Sequence, residues 1–253
     1  MGESIALVIC GLFLGRFLNL TIDRLPPPSV PVFPPGSGRQ HGFRGLALLP
    51  VVSHFGLLGH GSGGIKLFSR SLAVEAITPL LCWAIADQYG LTPGAAVLVF
   101  YCALFIHLTF VDLEHSLILN KVVLPALPIA LALFPFSPLG QGWGIGEAYS
   151  RSLSGAGVGF AILLVIYVAS RGGTGAGDVK LAALLGAMLG LPQILAGLPM
   201  GFVLGGAAAI ILLLARLKGI KETIPFGPAL IAGSALVLLL GPGSYNWYLN
   251  LFR

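Results

Sequence analysis

Eight apolar runs, parted by short polar or Pro/Gly-rich breaks, organise the 253 residues. They cover roughly 4–22, 72–88, 94–111, 121–137, 152–170, 178–192, 195–215 and 224–241. A helix of about 20 apolar residues crosses the hydrocarbon core of a bilayer. The runs are unbroken and lack the alternation of barrel strands. The pattern therefore predicts an all-α polytopic membrane protein of about eight transmembrane helices, read as a single membrane domain over residues 1–253. Run six and run seven are separated only by the Gly/Pro break in "LLGAMLGLPQILAGLPMG". The first run begins with Glu3 in place of a basic segment and carries Arg16 and Asn19, so it reads as a retained span and not as a cleaved signal.

Composition sharpens this. Hydrophobic residues make up 56% of the chain and charged residues 9%, against about 25% charged in soluble domains. Three cysteines, all in apolar runs, exclude a disulfide scaffold. The net charge of +5 does not point to nucleic acid, because no basic cluster is interleaved with exposed aromatics. It points to topology instead. With eight spans, the segments 23–71, 112–120, 171–177 and 216–223 and their flanks share one side and hold 11 of the 14 Lys and Arg residues. By the positive-inside rule that side is cytoplasmic, both termini lie outside, and 23–71 is one long cytoplasmic loop.

So few carboxylates can be weighed singly. Glu3, Asp87, Glu147 and Glu222 fall in terminal or loop positions, and Asp23 sits beside Arg24, its plain ion-pair partner. Glu75 lies just inside the second span, where a carboxylate must be paired or wet; Arg70, five residues earlier, is the default partner. Asp112 closes the third span and Asp178 opens the sixth, so both reach the cytoplasmic side at matched depth. Two adjacent carboxylates do not ionise together easily. One can then take a proton from water while the other donates to a peptide carbonyl, which is the chemistry of aspartic proteolysis. Gly173, Gly175 and Gly177 would let an extended peptide approach Asp178. Lys180 would pair with Asp178 or reach lipid headgroups. The residues alone leave a helix cap for Asp178 and an interfacial charge for Asp112 open.

Other chemistries find less. No G-x-S-x-G occurs, and "GGTGAG" lacks the Gly-Lys-Ser/Thr ending of a phosphate loop. His41, His54 and His60 share the long loop, but their spacing is irregular and no cysteine accompanies them, which argues against zinc. His107, five residues before Asp112, reads first as a residue bonded within the bundle.

Several blocks together resemble the type IV prepilin peptidases, membrane aspartic proteases with a G-x-G-D motif. They are "GLFLGRFLNLTIDRLP", "LPVVSHFGLL" followed by "SRSLAVEAITPLL", "VDLEH", "GAGDVKLAALLGAMLG" and "IPFGPALIAG", in order along nearly the whole chain. The resemblance implies a bacterial inner-membrane enzyme that removes the short basic leader of prepilins or pseudopilins at the cytoplasmic face, typically between Gly and Phe. It implies Asp112 and Asp178 as the catalytic dyad, with Gly175, Gly177, Lys180, Glu75, Asn19 and the Pro225–Pro228 turn in support. No cofactor is implied for proteolysis. Many members also methylate the new N-terminus with S-adenosylmethionine.

Two departures accompany the likeness. Many members carry two Cys-x-x-Cys pairs in the first cytoplasmic loop, and loop 23–71 has no cysteine. No zinc is expected, and the link to methylation is weakened. Leu119-Asn120 stands where the family often has Pro-Asp. Two further classes stay in view: another G-x-G-D protease of the signal peptide peptidase type, echoed in "GPAL", and a small ion-coupled transporter with the two aspartates as ion sites. The expected partners are a prepilin or pseudopilin and the lipid bilayer, with the oligomeric state open.

Overall fold

The computed structural model describes residues 2–26, 61–170, 174–216 and 225–243, together with Tyr245 and Asn250. These residues form α-helices and short 3-10 turns, with no strand among them. The helices are α1 (Gly2–Arg24), α2 (Gly61–Tyr89), α3 (Pro93–His115), α4 (Asn120–Leu133), α5 (Ile145–Ala169), α6 (Ala176–Leu189), α7 (Ile194–Leu214) and α8 (Gly227–Leu240). Each apolar run has its helix. Most of the long loop, residues 27–60 with His41, His54 and His60, lies outside the described residues; its last part, from Gly61, is already helical as the start of α2. Among the described residues, four helices are long and apolar enough to cross a membrane: the Phe68–Tyr89 part of α2, α3, α5 and α7. On α7, Val203, Ile210, Ile211 and Leu214 are exposed, a surface suited to lipid and unsuited to water.

The chain falls into two compact units: residues 1–91 with 102–107, and residues 92–101 with 108–253. In the first, α1 lies against α2 where glycines remove the obstacle. A Cβ on Gly11 would sit 2.6 Å from Pro79 Cα, and one on Gly15 would sit 3.1 Å from Glu75 Cα. Small residues at such a seam let two backbones approach, which drives association where lipid offers no hydrophobic gain. Polar side chains then bond across it. Asn19 donates to the Ser71 carbonyl at 3.1 Å, and Arg70 pairs with Asp23 at 2.6 Å. The expected Asp23–Arg24 pair is thus replaced by one between helices, because neighbouring residues on a helix point about 100° apart.

In the second unit, α3 starts at Thr92, whose hydroxyl accepts from the Ala95 amide at 3.2 Å, with Pro93 in the first turn. Helix α6 is buried along nearly its whole length and forms the centre of the unit. Its seam with α5 is again made of glycine: a Cβ on Gly155 would fall 2.8 Å from Gly190 Cα, and one on Gly159 3.1 Å from the Ala182 carbonyl carbon. Ser152 donates to the Ala187 carbonyl across the same seam at 2.6 Å. Gly190, with φ of 68°, ends α6 and separates it from α7.

Candidate active site

Helix α3 ends one turn beyond Asp112. Ser116 takes the left-handed conformation, φ 49° and ψ 40°, and its amide closes on the Asp112 carbonyl at 2.7 Å. Asp112 is therefore in the last helical turn, with its carboxylate buried. Asp178 is the third residue of α6. Its Oδ2 accepts from the Gly175 amide at 3.2 Å, and its own amide returns to the Gly175 carbonyl at 3.0 Å. The cap expected of Asp178 thus exists, but it is made from inside the first turn. Capping and catalysis do not exclude each other, since Oδ1 is not used in the cap.

Both aspartates line one cavity of about 600 Å³. Gly175, Gly177 and Thr174 line it beside Asp178. Gly177 is tight: a Cβ there would meet Ile118 Cβ at 2.9 Å. The segment before α8 closes in on the other carboxylate. The Gly227 amide hydrogen-bonds Asp112, and a Cβ on Gly227 would sit 2.5 Å from Asp112 Oδ2. Each carboxylate is thus met by a main-chain amide at the start of a helix, α6 for Asp178 and α8 for Asp112. Helix N-termini present unused N–H groups and a positive dipole end, both favourable to anions. The arrangement can hold two carboxyl groups around one small reactant such as water.

The model of the type IV leader peptidase family matches residues 99–215, which include both aspartates. A prepilin leader peptidase/N-methyltransferase of Bacillus subtilis (strain 168) is 31% identical over 252 residues, covering 97% of this chain and 97% of the relative. The chain belongs to the type IV leader peptidase family. An Aeromonas hydrophila relative with the same name is 31% identical, covering 95% of this chain and 92% of its own. One from Pseudomonas putida is 29% identical, covering 94% and 90%. No solved structure matches the chain. Membership supports the peptidase reading and leaves the signal peptide peptidase and transporter readings without support.

The other site residues expected of a leader peptidase fall in two places. Lys180 donates to Asn120 Oδ1 at 3.0 Å, joining α6 to the start of α4. It does not turn toward Asp178, since two residues on a helix point about 200° apart. The contact joins a charged amine to a neutral amide. Glu75 and Asn19 belong to the first unit and form a buried polar array of their own. Glu75 Oε1 lies 3.8 Å from Arg16 Nη1 and 3.5 Å from Asn19 Nδ2. His107 is buried and its Nδ1 meets Thr21 Oγ1 at 3.1 Å, as the bonded reading anticipates. Among the described residues no group of three or more His, Cys, Asp or Glu could hold a metal ion. Residues missed from sequence are Ser116, Ile166 and Phe202, which only the folded arrangement brings to the cavity. Phe226 and Gly227 fall within the turn of residues 225–228 in the "IPFGPALIAG" block, which the resemblance places in support of the site.

Proposed function

We propose that this protein is an aspartic endopeptidase that removes the short N-terminal leader of type IV prepilins or pseudopilins, with Asp112 and Asp178 as its dyad. The observation that carries the proposal is the shared cavity, in which two carboxylates from distant helices each receive a main-chain amide. One carboxylate draws a proton from water as the water oxygen adds to the scissile carbonyl carbon. The protonated partner gives its proton to the carbonyl oxygen. Collapse of the resulting diol breaks the C–N bond and delivers a proton to the leaving amine.

The proposed setting is the bacterial cytoplasmic membrane, crossed eight times by a single membrane domain, with both termini outside and the dyad at the cytoplasmic face. The 11 basic residues on one side support that orientation. Gly175 gives its amide to Asp178, and Gly177 makes room for Ile118 beside the cavity. Lys180 holds α6 to α4 through Asn120, and Glu75 with Asn19 supports the pairing of α1 and α2. Methylation of the new N-terminus by S-adenosylmethionine is the second half of the proposal, and the names of the relatives support it.

The test is co-expression with a prepilin. Asp112→Asn and Asp178→Asn should each slow leader removal by at least about 100-fold, with the protein still in the membrane fraction. Normal processing by either variant would sink the dyad. Mass spectrometry of the processed pilin reads cleavage position and N-methylation in one spectrum.

A further inference from the structure

Side-chain hydrogen-bond acceptors are few in the dyad cavity. Among the residues lining it, only Asp112, Asp178, Ser116 and Thr174 carry a side-chain oxygen. The proton transfers occupy the two aspartates and make no use of the two hydroxyls. Thr174 stands four residues before Asp178, and its hydroxyl is tied to the end of α5. Ser170 Oγ donates to the Tyr167 carbonyl at 3.1 Å and accepts the Thr174 amide at 3.3 Å. The same Oγ lies 3.1 Å from Thr174 Oγ1. A hydroxyl has one proton to give, and a carbonyl can only accept. The Ser170 proton therefore goes to Tyr167, and Thr174 is the donor in the bond between the two hydroxyls. The lone pairs of Thr174 Oγ1 are left as acceptors beside Asp178.

A peptide laid across the dyad brings main-chain N–H groups with it, and each one that leaves water without a new acceptor weakens binding. Hydroxyls bonded in a chain polarise one another, so the oxygen at the open end of such a chain is a better acceptor than a lone hydroxyl. Resting on the dyad reading above, we propose that Thr174 Oγ1 accepts one main-chain N–H of the substrate near the scissile bond. The bond aligns the peptide across the two carboxylates. Ser170 fixes the direction of the Thr174 proton and so keeps the acceptor side turned to the peptide. Such a contact reads the main chain and not a side chain, and precursors of different sequence can all make it.

The experiment uses the full chain, reconstituted in lipid, and a synthetic prepilin segment spanning the leader and the first residues of the mature chain. Main-chain N–H groups near the cleaved bond are replaced by ester oxygen one at a time, the scissile bond excepted. Wild type should lose about 3–10-fold in kcat/KM at one ester position. Thr174→Val keeps the side chain's shape and removes its oxygen. It should cleave the all-amide segment about 3–10-fold less well than wild type and show no further loss at that position. Thr174→Ser should bring the ester penalty back. Ser170→Ala should reduce it, because the Thr174 proton is then free to turn toward the peptide. Ser116→Ala, the other hydroxyl of the lining, should leave the penalty in place. An undiminished rate in Thr174→Val, an ester penalty that survives in it, or one that vanishes in Ser116→Ala instead overturns the acceptor alone. Cleavage of the all-amide segment by Asp112→Asn at the wild-type rate, or none by wild type, overturns the dyad reading and the acceptor with it.

Discussion

Each carboxylate of the candidate site depends on a glycine. Gly227 offers its amide to Asp112 from a distance at which no side chain fits. Gly227→Ala should push the carboxylate aside and lower kcat on the order of 100-fold, the usual cost of displacing a reacting group by about an ångström. A kinetic assay on purified protein, with KM followed separately, checks this. Ser116 makes the opposite case. Its left-handed backbone is strained for a residue with a Cβ, so Ser116→Gly should raise stability by roughly 0.5–1 kcal/mol, seen as a higher unfolding temperature in detergent. Residue by residue, the two aspartates were legible because charge is so scarce that each carboxylate stands out. The partners of the polar side chains were not. Whether Lys180 meets Asp178 or Asn120, and whether Asp23 meets Arg24 or Arg70, depends on how a helix is rotated about its axis, and an evenly apolar helix gives little sign of its rotation.

The helices were legible for the converse reason. A run of apolar residues long enough to span lipid must satisfy its backbone internally, and only a helix does so within one segment. What the runs conceal is which helices touch. The α5–α6 seam exists because Gly155, Gly159 and Gly186 leave no side chain between the backbones. Gly186→Val should therefore cost about 1–3 kcal/mol or more through overpacking. Gly157→Val, two residues from Gly155 and with nothing within 4 Å of an added Cβ, should be close to neutral. Thermal unfolding of the two variants side by side separates a seam glycine from a bystander. If both unfold at the same temperature, the seam is not where the structure puts it.

For the molecule as a whole, the charge asymmetry makes a prediction independent of side-chain geometry. In a background lacking Cys10, Cys82 and Cys102, Gly142→Cys should react with a membrane-impermeant maleimide added to intact spheroplasts. Lys218→Cys should react only after permeabilisation. Labelling of both from one side would refute the eight-span arrangement. The chemistry of the whole rests on a different economy. Both carboxylates are held by main-chain amides, Gly175 for one and Gly227 for the other. An amide N–H is common to every amino acid except proline, so replacing other side chains around the cavity leaves those two donors in place. The candidate site is thereby insulated from drift: its walls are free to change, while the two carboxylates stay where the helix starts put them.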